Sequence, residues 1–262
     1  MMLLPTSKPD SPSPSRPQRW WTDKRVIGLI GLYVACAIFV AIGVRLFDDM
    51  VIQAGETEVK QQGYAAEVKT AWENGDTDTR SVLRVPRFGE TWEYVVNEGV
   101  TNSDIRYGPG RDTETARAGG VGNMVIAAHR NGAGSPFNDI ERLEPCDEVV
   151  VQTATREYTY RVIPFADDRE GRTREASKCF DASQVEELTT STYAEVSGKR
   201  VVTPTDGTVT WPVPISDPYA EMPEPTQRLV TLYTCYPEFS NEKRIAVTAM
   251  LARTEIVSPH QG

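Results

Sequence analysis

The chain predicts an all-β domain, a closed barrel or a sandwich, held behind one N-terminal transmembrane helix. Three observations predict it. An uncharged run of membrane-spanning length lies near the N-terminus, strand-like segments bounded by turn residues recur after residue 80, and no long helical period competes with them.

Residues 1–25 are read as a disordered cytoplasmic tail, because "PTSKPDSPSPSRPQ" has almost nothing to bury against the entropy of ordering. The run "VIGLIGLYVACAIFVAIGV" (26–44) carries no charge and matches the length a helix needs to cross hydrocarbon, so residues 26–47 are assigned to a membrane anchor. Lys8, Arg16, Arg19, Lys24 and Arg25 precede the span and Asp48 and Asp49 follow it, which puts the N-terminus in the cytoplasm and the rest outside. A cleaved signal peptide fits less well, since the apolar run is too long and no A-x-A site follows; Cys36 lies within the span, not at a lipoprotein cleavage site.

Beyond Arg45 the chain holds 22 basic and 35 acidic residues, a net of −13. Such a surface repels phosphate backbones, which excludes nucleic acid as a natural partner.

Residues 48–80 are polar and helix-compatible, with sparse apolar positions, and are read as a stalk; a solvated spacer is favoured over a partner-binding helix. The folded domain is assigned to 81–257. Its expected strands are "LRVP" (83–86), "TWEYVV" (91–96), "NMVIAAH" (123–129), "DEVVVQT" (147–153), "EYTYRVIP" (157–164), "RLVTLYT" (228–234) and "RIAVTAML" (244–251), with Gly- and Pro-rich turns between them. Residues 166–199 are charged and weakly patterned and read as an insertion, in which Ser183 and Glu186 could form a capping box. Residues 258–262 are a tail.

The four cysteines form no C-x-x-C or C-x-x-H cluster, so neither a structural metal nor a cofactor is expected. With Cys36 in the membrane, the economical pairing joins Cys146, in a turn after Pro145, to Cys179 in the insertion, leaving Cys235 free; two unrelated buried thiols are the alternative. A free thiol outside the cell needs an imidazole or a cation to become a nucleophile. The chain has two histidines: His260 in the tail, read as a solvated residue, and His129, which ends an apolar strand beside the Gly-rich loop "RNGAGSP". His129 could equally be structural. Taken with Cys235 at a strand end and Arg244 across the following hairpin, it supplies the parts of an acyl-transfer site: a nucleophile, an acid for the departing amine, and a guanidinium for the oxyanion. Arg244 could instead pair with Glu238 or Glu242. At reference pKa values of about 6.5 and 8.5, a thiolate–imidazolium pair is only about 1% of the molecules at its best pH.

At these residues the sequence resembles a sortase, a membrane-anchored cysteine transpeptidase of Gram-positive bacteria. The T-L-x-T-C signature is matched by Thr231, Leu232, Tyr233, Thr234 and Cys235, the downstream arginine by Arg244, and the G-H-R motif by His129 and Arg130, although Ala128 stands where Gly is usual. The likeness runs from about Leu83 to Leu251 through "LRVPRFG", "RYGPGRD", "GVGNMVIAAHRN", "SPFNDIERLEP" and "EYTYRV". The "PRFG", "GPG" and "TCYP" segments are most similar to class E, the actinobacterial housekeeping type; no class C lid motif is evident. Cys146 stands where the family commonly has Gly, and the Cys179 region is longer than usual.

The resemblance implies an eight-stranded barrel of the sortase type with short helices. It implies cleavage of an L-A-x-T-G or L-P-x-T-G sorting signal between Thr and Gly, with a thioacyl intermediate on Cys235. The implied partners are surface proteins bearing C-terminal sorting signals, the membrane, and a peptidoglycan precursor or other amine acceptor. Thr234, Tyr236, the 203–225 loop and Tyr107 are the expected substrate contacts. A pilin-polymerising enzyme and a catalytically silent surface scaffold are the alternatives.

Overall fold

After Arg80, β-branched and aromatic residues cluster in short runs, and these runs assemble one highly curved sheet. The structure, a computed structural model, describes residues 24–77 and 80–257. The expected N-terminal tail up to residue 23 and the C-terminal tail with His260 lie outside the described residues. Two units are distinguished, Met1–Asp48 and Asp49–Gly262.

Helix α1, Lys24–Glu73, runs through the boundary between them. Its first part is long and apolar enough to cross a membrane, and its large apolar side chains are exposed, Phe39 at 79%. Past residue 50 the helix presents a different face. Thr57 and Val68 are buried at 2% and 4% exposure, and Val68 packs with Tyr64 and Trp72 against Val82 and Val95 of the barrel. Gln61 adds a polar clamp: its amide accepts from Val95 N–H at 2.8 Å and donates to the Tyr107 carbonyl at 2.6 Å. The segment read as a solvated spacer is therefore helical to Glu73 and docks along one stripe. Glycine permits the approach, since a Cβ on Gly108 would lie 2.1 Å from the Gln61 Nε2 and one on Gly134 2.8 Å from Thr57 Cγ2.

The sheet contains β1 Val82–Arg84, β2 Glu93–Val95, β3 Asn97–Glu98, β4 Gly110–Arg111, β5 Gly122–Ala127, β6 Glu148–Gln152, β7 Arg156–Val162, β8 Lys199–Val202, β9 Arg228–Tyr236 and β10 Lys243–Ile256. Nine of them follow one path, β2-β1-β6-β7-β10-β9-β5-β4-β3, and β8 joins by pairing with β10. The expectation of eight strands is corrected by this count. Short pieces account for the difference, because β3 and β4 are two residues each. The two ends of the path, β2 and β3, are separated only by Val96 in the chain, so the sheet curls back on itself into a nearly closed barrel. All seven expected strand stretches are found.

Inward residues of the barrel, among them Leu83, Ile126, Phe137, Val151, Tyr160 and Leu232, are at most 0% exposed and form the main core. Each such side chain is worth about 1.5–3 kcal/mol of burial. A second core lies under the insertion, where Ala176, Phe180, Leu188, Tyr193 and Val196 pack with Leu229 and Met250. The insertion folds as α2 Arg169–Ala176 and α3 Ala182–Thr190. Both start on aspartates: Asp168 accepts from Gly171 N–H and Asp181 from Gln184 N–H. The Ser183–Glu186 box is thus replaced by Asp181 as cap, two residues earlier, with Ser183 already inside the helix. Arg172 holds the insertion from within; at 3% exposure it donates to the carbonyls of Leu188, Tyr193 and Val196 at 2.8, 3.0 and 3.1 Å. A disulfide joins Cys146 to Cys179 and ties this layer to the turn before β6.

Candidate active site

The register of three adjacent strands sets the site. In the antiparallel β9–β10 pair, Arg244 is the direct partner of Cys235. In the parallel β5–β9 pair, Ala127 is the partner of Tyr233, and Ala128 N–H donates to the Tyr233 carbonyl at 3.3 Å. β5 ends at Ala127, and His129 follows it by two residues, as Cys235 follows Tyr233. Direct partners point to the same side of a sheet and successive residues to opposite sides. Burial follows that alternation: Ala127, His129, Tyr233, Cys235 and Arg244 are half-buried, whereas Ala128, Thr234 and Ile245 are buried. Cys235 and Arg244 therefore share the outer face of the β9–β10 pair, and His129 lies two residues past the end of the adjacent β5.

Cys235 is a free thiol. His129 sits in a partly desolvated position, and that burial pushes its pKa below the ordinary imidazole value, favouring the neutral ring. Arg244 donates through Nη1 to the carbonyls of Asn241 and Lys243, both at 2.9 Å. Those bonds organise the β9–β10 hairpin and leave Nε and Nη2 for another acceptor. The expected alternative pairing with Glu238 or Glu242 does not form. Asn131 fastens the same hairpin to the loop after His129, accepting from Phe239 N–H at 2.8 Å and donating to Glu238 at 3.4 Å.

The other expected residues fall in three different settings. Thr234 is buried, and its hydroxyl donates to the Ala128 carbonyl at 2.7 Å, tying the residue before Cys235 to the residue before His129. Tyr236 is half-buried, packs against the main core and lies under the Arg130 guanidinium, 5.5 Å from its ring centroid. Arg130 is itself ion-paired with Glu141. Tyr107 lines a cleft of about 380 Å³ that also contains His129. The 203–225 loop is anchored at both ends: Arg200 donates to Ile215 O and Thr208 Oγ1, and the Tyr193 hydroxyl accepts from Thr226 and Gln227 N–H. It follows β8, whose Val202 is the register partner of Arg244, so it borders the site on the side away from His129.

Two features escaped the sequence reading. Tyr233 shares the outer face two residues before Cys235, a position the period-2 pattern of β9 already encodes. Gln53, Glu56 and Thr57 of α1 line the cleft with His129. Among the described residues no group of three or more His, Cys, Asp or Glu side chains is placed to hold a metal.

Fold and site define a β-barrel with a free, half-buried cysteine in register with an arginine and a histidine just past the end of the neighbouring strand. The chain belongs to the sortase family: the Sortase domain matches residues 83–252, well over half of it. The SrtF sortase from Corynebacterium diphtheriae is 35% identical, covering 70% of this chain and 88% of that one with a TM-score of 0.64. Sortase E from Streptomyces avermitilis is 30% identical over 67% of this chain and 89% of that one, with a TM-score of 0.47. Sortase SrtE1 of Streptomyces coelicolor is 24% identical over 230 residues, 80% of this chain and 54% of that protein, so the chain spans about half the length of this curated relative.

Proposed function

We propose that this protein is a membrane-anchored cysteine transpeptidase of the cell surface. It cleaves an L-A-x-T-G or L-P-x-T-G sorting signal between Thr and Gly and joins the freed carboxyl to an amine of a cell-wall precursor. What supports the reading is the strand register: Arg244 is the direct partner of Cys235, and His129 lies two residues past β5, whose Ala127 pairs with Tyr233. Cys235 passes its thiol proton to the neutral imidazole of His129, and the resulting thiolate attacks the carbonyl of the signal's Thr. The C–S bond forms, the oxyanion is met by the free nitrogens of Arg244, and the C–N bond breaks as His129 gives its proton to the departing amine of Gly. An acceptor amine then displaces Cys235 from the thioacyl enzyme.

Family membership supports the reaction class, and the class E resemblance supports the L-A-x-T-G preference. The apolar stretch of α1 supports single-pass anchoring, with the basic residues before it oriented to the cytoplasm and the barrel outside. The anchored 203–225 loop, with Tyr236, is assigned to the signal-peptide side of the groove. Thr234 acts on the site from beneath by fixing β9 against β5.

The test is product analysis with both signal peptides and a soluble amine. Wild-type protein yields cleavage after Thr, and Cys235→Ala yields none. Cleavage persisting in Cys235→Ala would reject the assignment of the nucleophile.

A further inference from the structure

The cleft beside His129 contains two free charges of opposite sign, and no step of the peptide-cleavage half of the reaction uses them. Glu56 of α1 and Arg106 both line it, with Gln53, Thr57, Tyr107 and His129. Among the described residues Glu56 has no hydrogen bond or ion pair. The Arg106 guanidinium makes only a ring contact, 5.3 Å from the centroid of Tyr107. They are not paired with each other, although they border the same space. The Thr57 hydroxyl is buried and has no hydrogen-bond partner either. The α1 helix is held over this cleft by Gln61 on the barrel and by Gln53, which accepts from Ala133 N–H at 3.3 Å.

Microscopic reversibility says which half-reaction needs such a space. The imidazole that protonates the departing amine must take a proton from the incoming one, so the acceptor approaches where the leaving group left, on the His129 side. The 203–225 loop borders the opposite side. We propose that the cleft between α1 and His129 is the acceptor site, and that it takes an amine carried next to a carboxylate, as in the α-amino carboxylate of an amino acid. Glu56 binds the ammonium end and Arg106 the carboxylate. This assignment rests on the transpeptidase reading. The bound ammonium releases one proton to water and the neutral amine attacks the thioester carbonyl. The C–N bond forms, the C–S bond breaks, and the second proton passes through His129 to the Cys235 sulfur.

The test uses the detergent-solubilised full chain, a sorting-signal peptide and four acceptors: alanine, alaninamide, ethylamine and hydroxylamine. Hydroxylamine is small and uncharged at neutral pH, so the hydroxamate it yields reports thioacyl formation alone. Every rate is taken relative to it, which cancels general damage to the enzyme. Wild type is expected to prefer alanine to alaninamide. Arg106→Gln should lose that preference by about fivefold, the scale of one partly exposed charge contact. Glu56→Gln should weaken use of alanine, alaninamide and ethylamine alike by a similar factor. Hydroxamate formed with unchanged relative rates in both variants would overturn the acceptor site while leaving the transpeptidase intact. No hydroxamate from wild type would overturn the transpeptidase reading and this one with it.

Discussion

Replacing Thr234 by Val keeps the shape of a buried side chain and deletes one hydrogen bond. That bond runs from Oγ1 to the Ala128 carbonyl at 2.7 Å, and the residue is 3% exposed, so no water takes its place. Losing a buried, well-formed bond of this kind costs about 1–2 kcal/mol. For a domain of this size each 1 kcal/mol moves Tm by about 2–4 °C, giving a fall of roughly 2–8 °C by thermal denaturation. The activity effect has a direction that separates two roles. Because the bond joins the residues immediately before Cys235 and His129, loosening it alters their spacing, and kcat should drop about tenfold with KM little changed. A hydroxyl that contacts the peptide would raise KM instead. Thr234→Ser, which keeps the donor, should recover most of both losses. A Val variant with wild-type Tm and wild-type kcat would refute the argument.

Opening the Cys146–Cys179 bridge by Cys146→Ser with Cys179→Ser frees a loop with a sequence separation of 33 and should cost up to about 4 kcal/mol by the chain-entropy argument, read from denaturant unfolding; equal stability would show that the insertion is fixed by its own core. Arg172→Met strands the carbonyls of Leu188, Tyr193 and Val196 in the interior and should destabilise by about 3 kcal/mol or more, seen as early unfolding and raised proteolysis of residues 166–199. Burial disfavours the charged form of His129, so its proton comes off at lower pH than the reference of about 6.5. The acid limb of kcat/KM should then lie below that value, as should the NMR titration of the resonance that His129→Gln removes. The stability tied to the buried neutral ring is complete above the unfolded pKa and is lost as pH falls through the folded one. A midpoint at or above 6.5 would contradict the desolvated setting.

The strands that could be read from the chain were those with enough β-branched and aromatic residues to declare a period. β3 and β4 could not, being two residues each, with Gly110 inside a Gly-Pro-Gly run that reads as a turn. β8 was hidden at the end of a charged insertion. In α1 the docking stripe Thr57, Gln61, Tyr64, Val68 and Trp72 has helical spacing, but its first two members are polar, so a reading by hydrophobicity alone passes over it. Gln61 reveals its purpose only through backbone partners on β2 and at Tyr107, which a sequence does not display. The candidate residues Cys235 and His129 stood out for the opposite reason: free thiols and imidazoles are scarce in this sequence. Glu56 and Arg106 belong to abundant types, and the fold alone brings them to one cleft.

The most direct measurement is the intact mass of the protein trapped during turnover of an L-A-x-T-G peptide. The account predicts an adduct equal to the peptide truncated after Thr, mapped to Cys235, absent in Cys235→Ala and strongly reduced in Arg244→Ala. Turnover without a covalent species, or an adduct on any other residue, would contradict it.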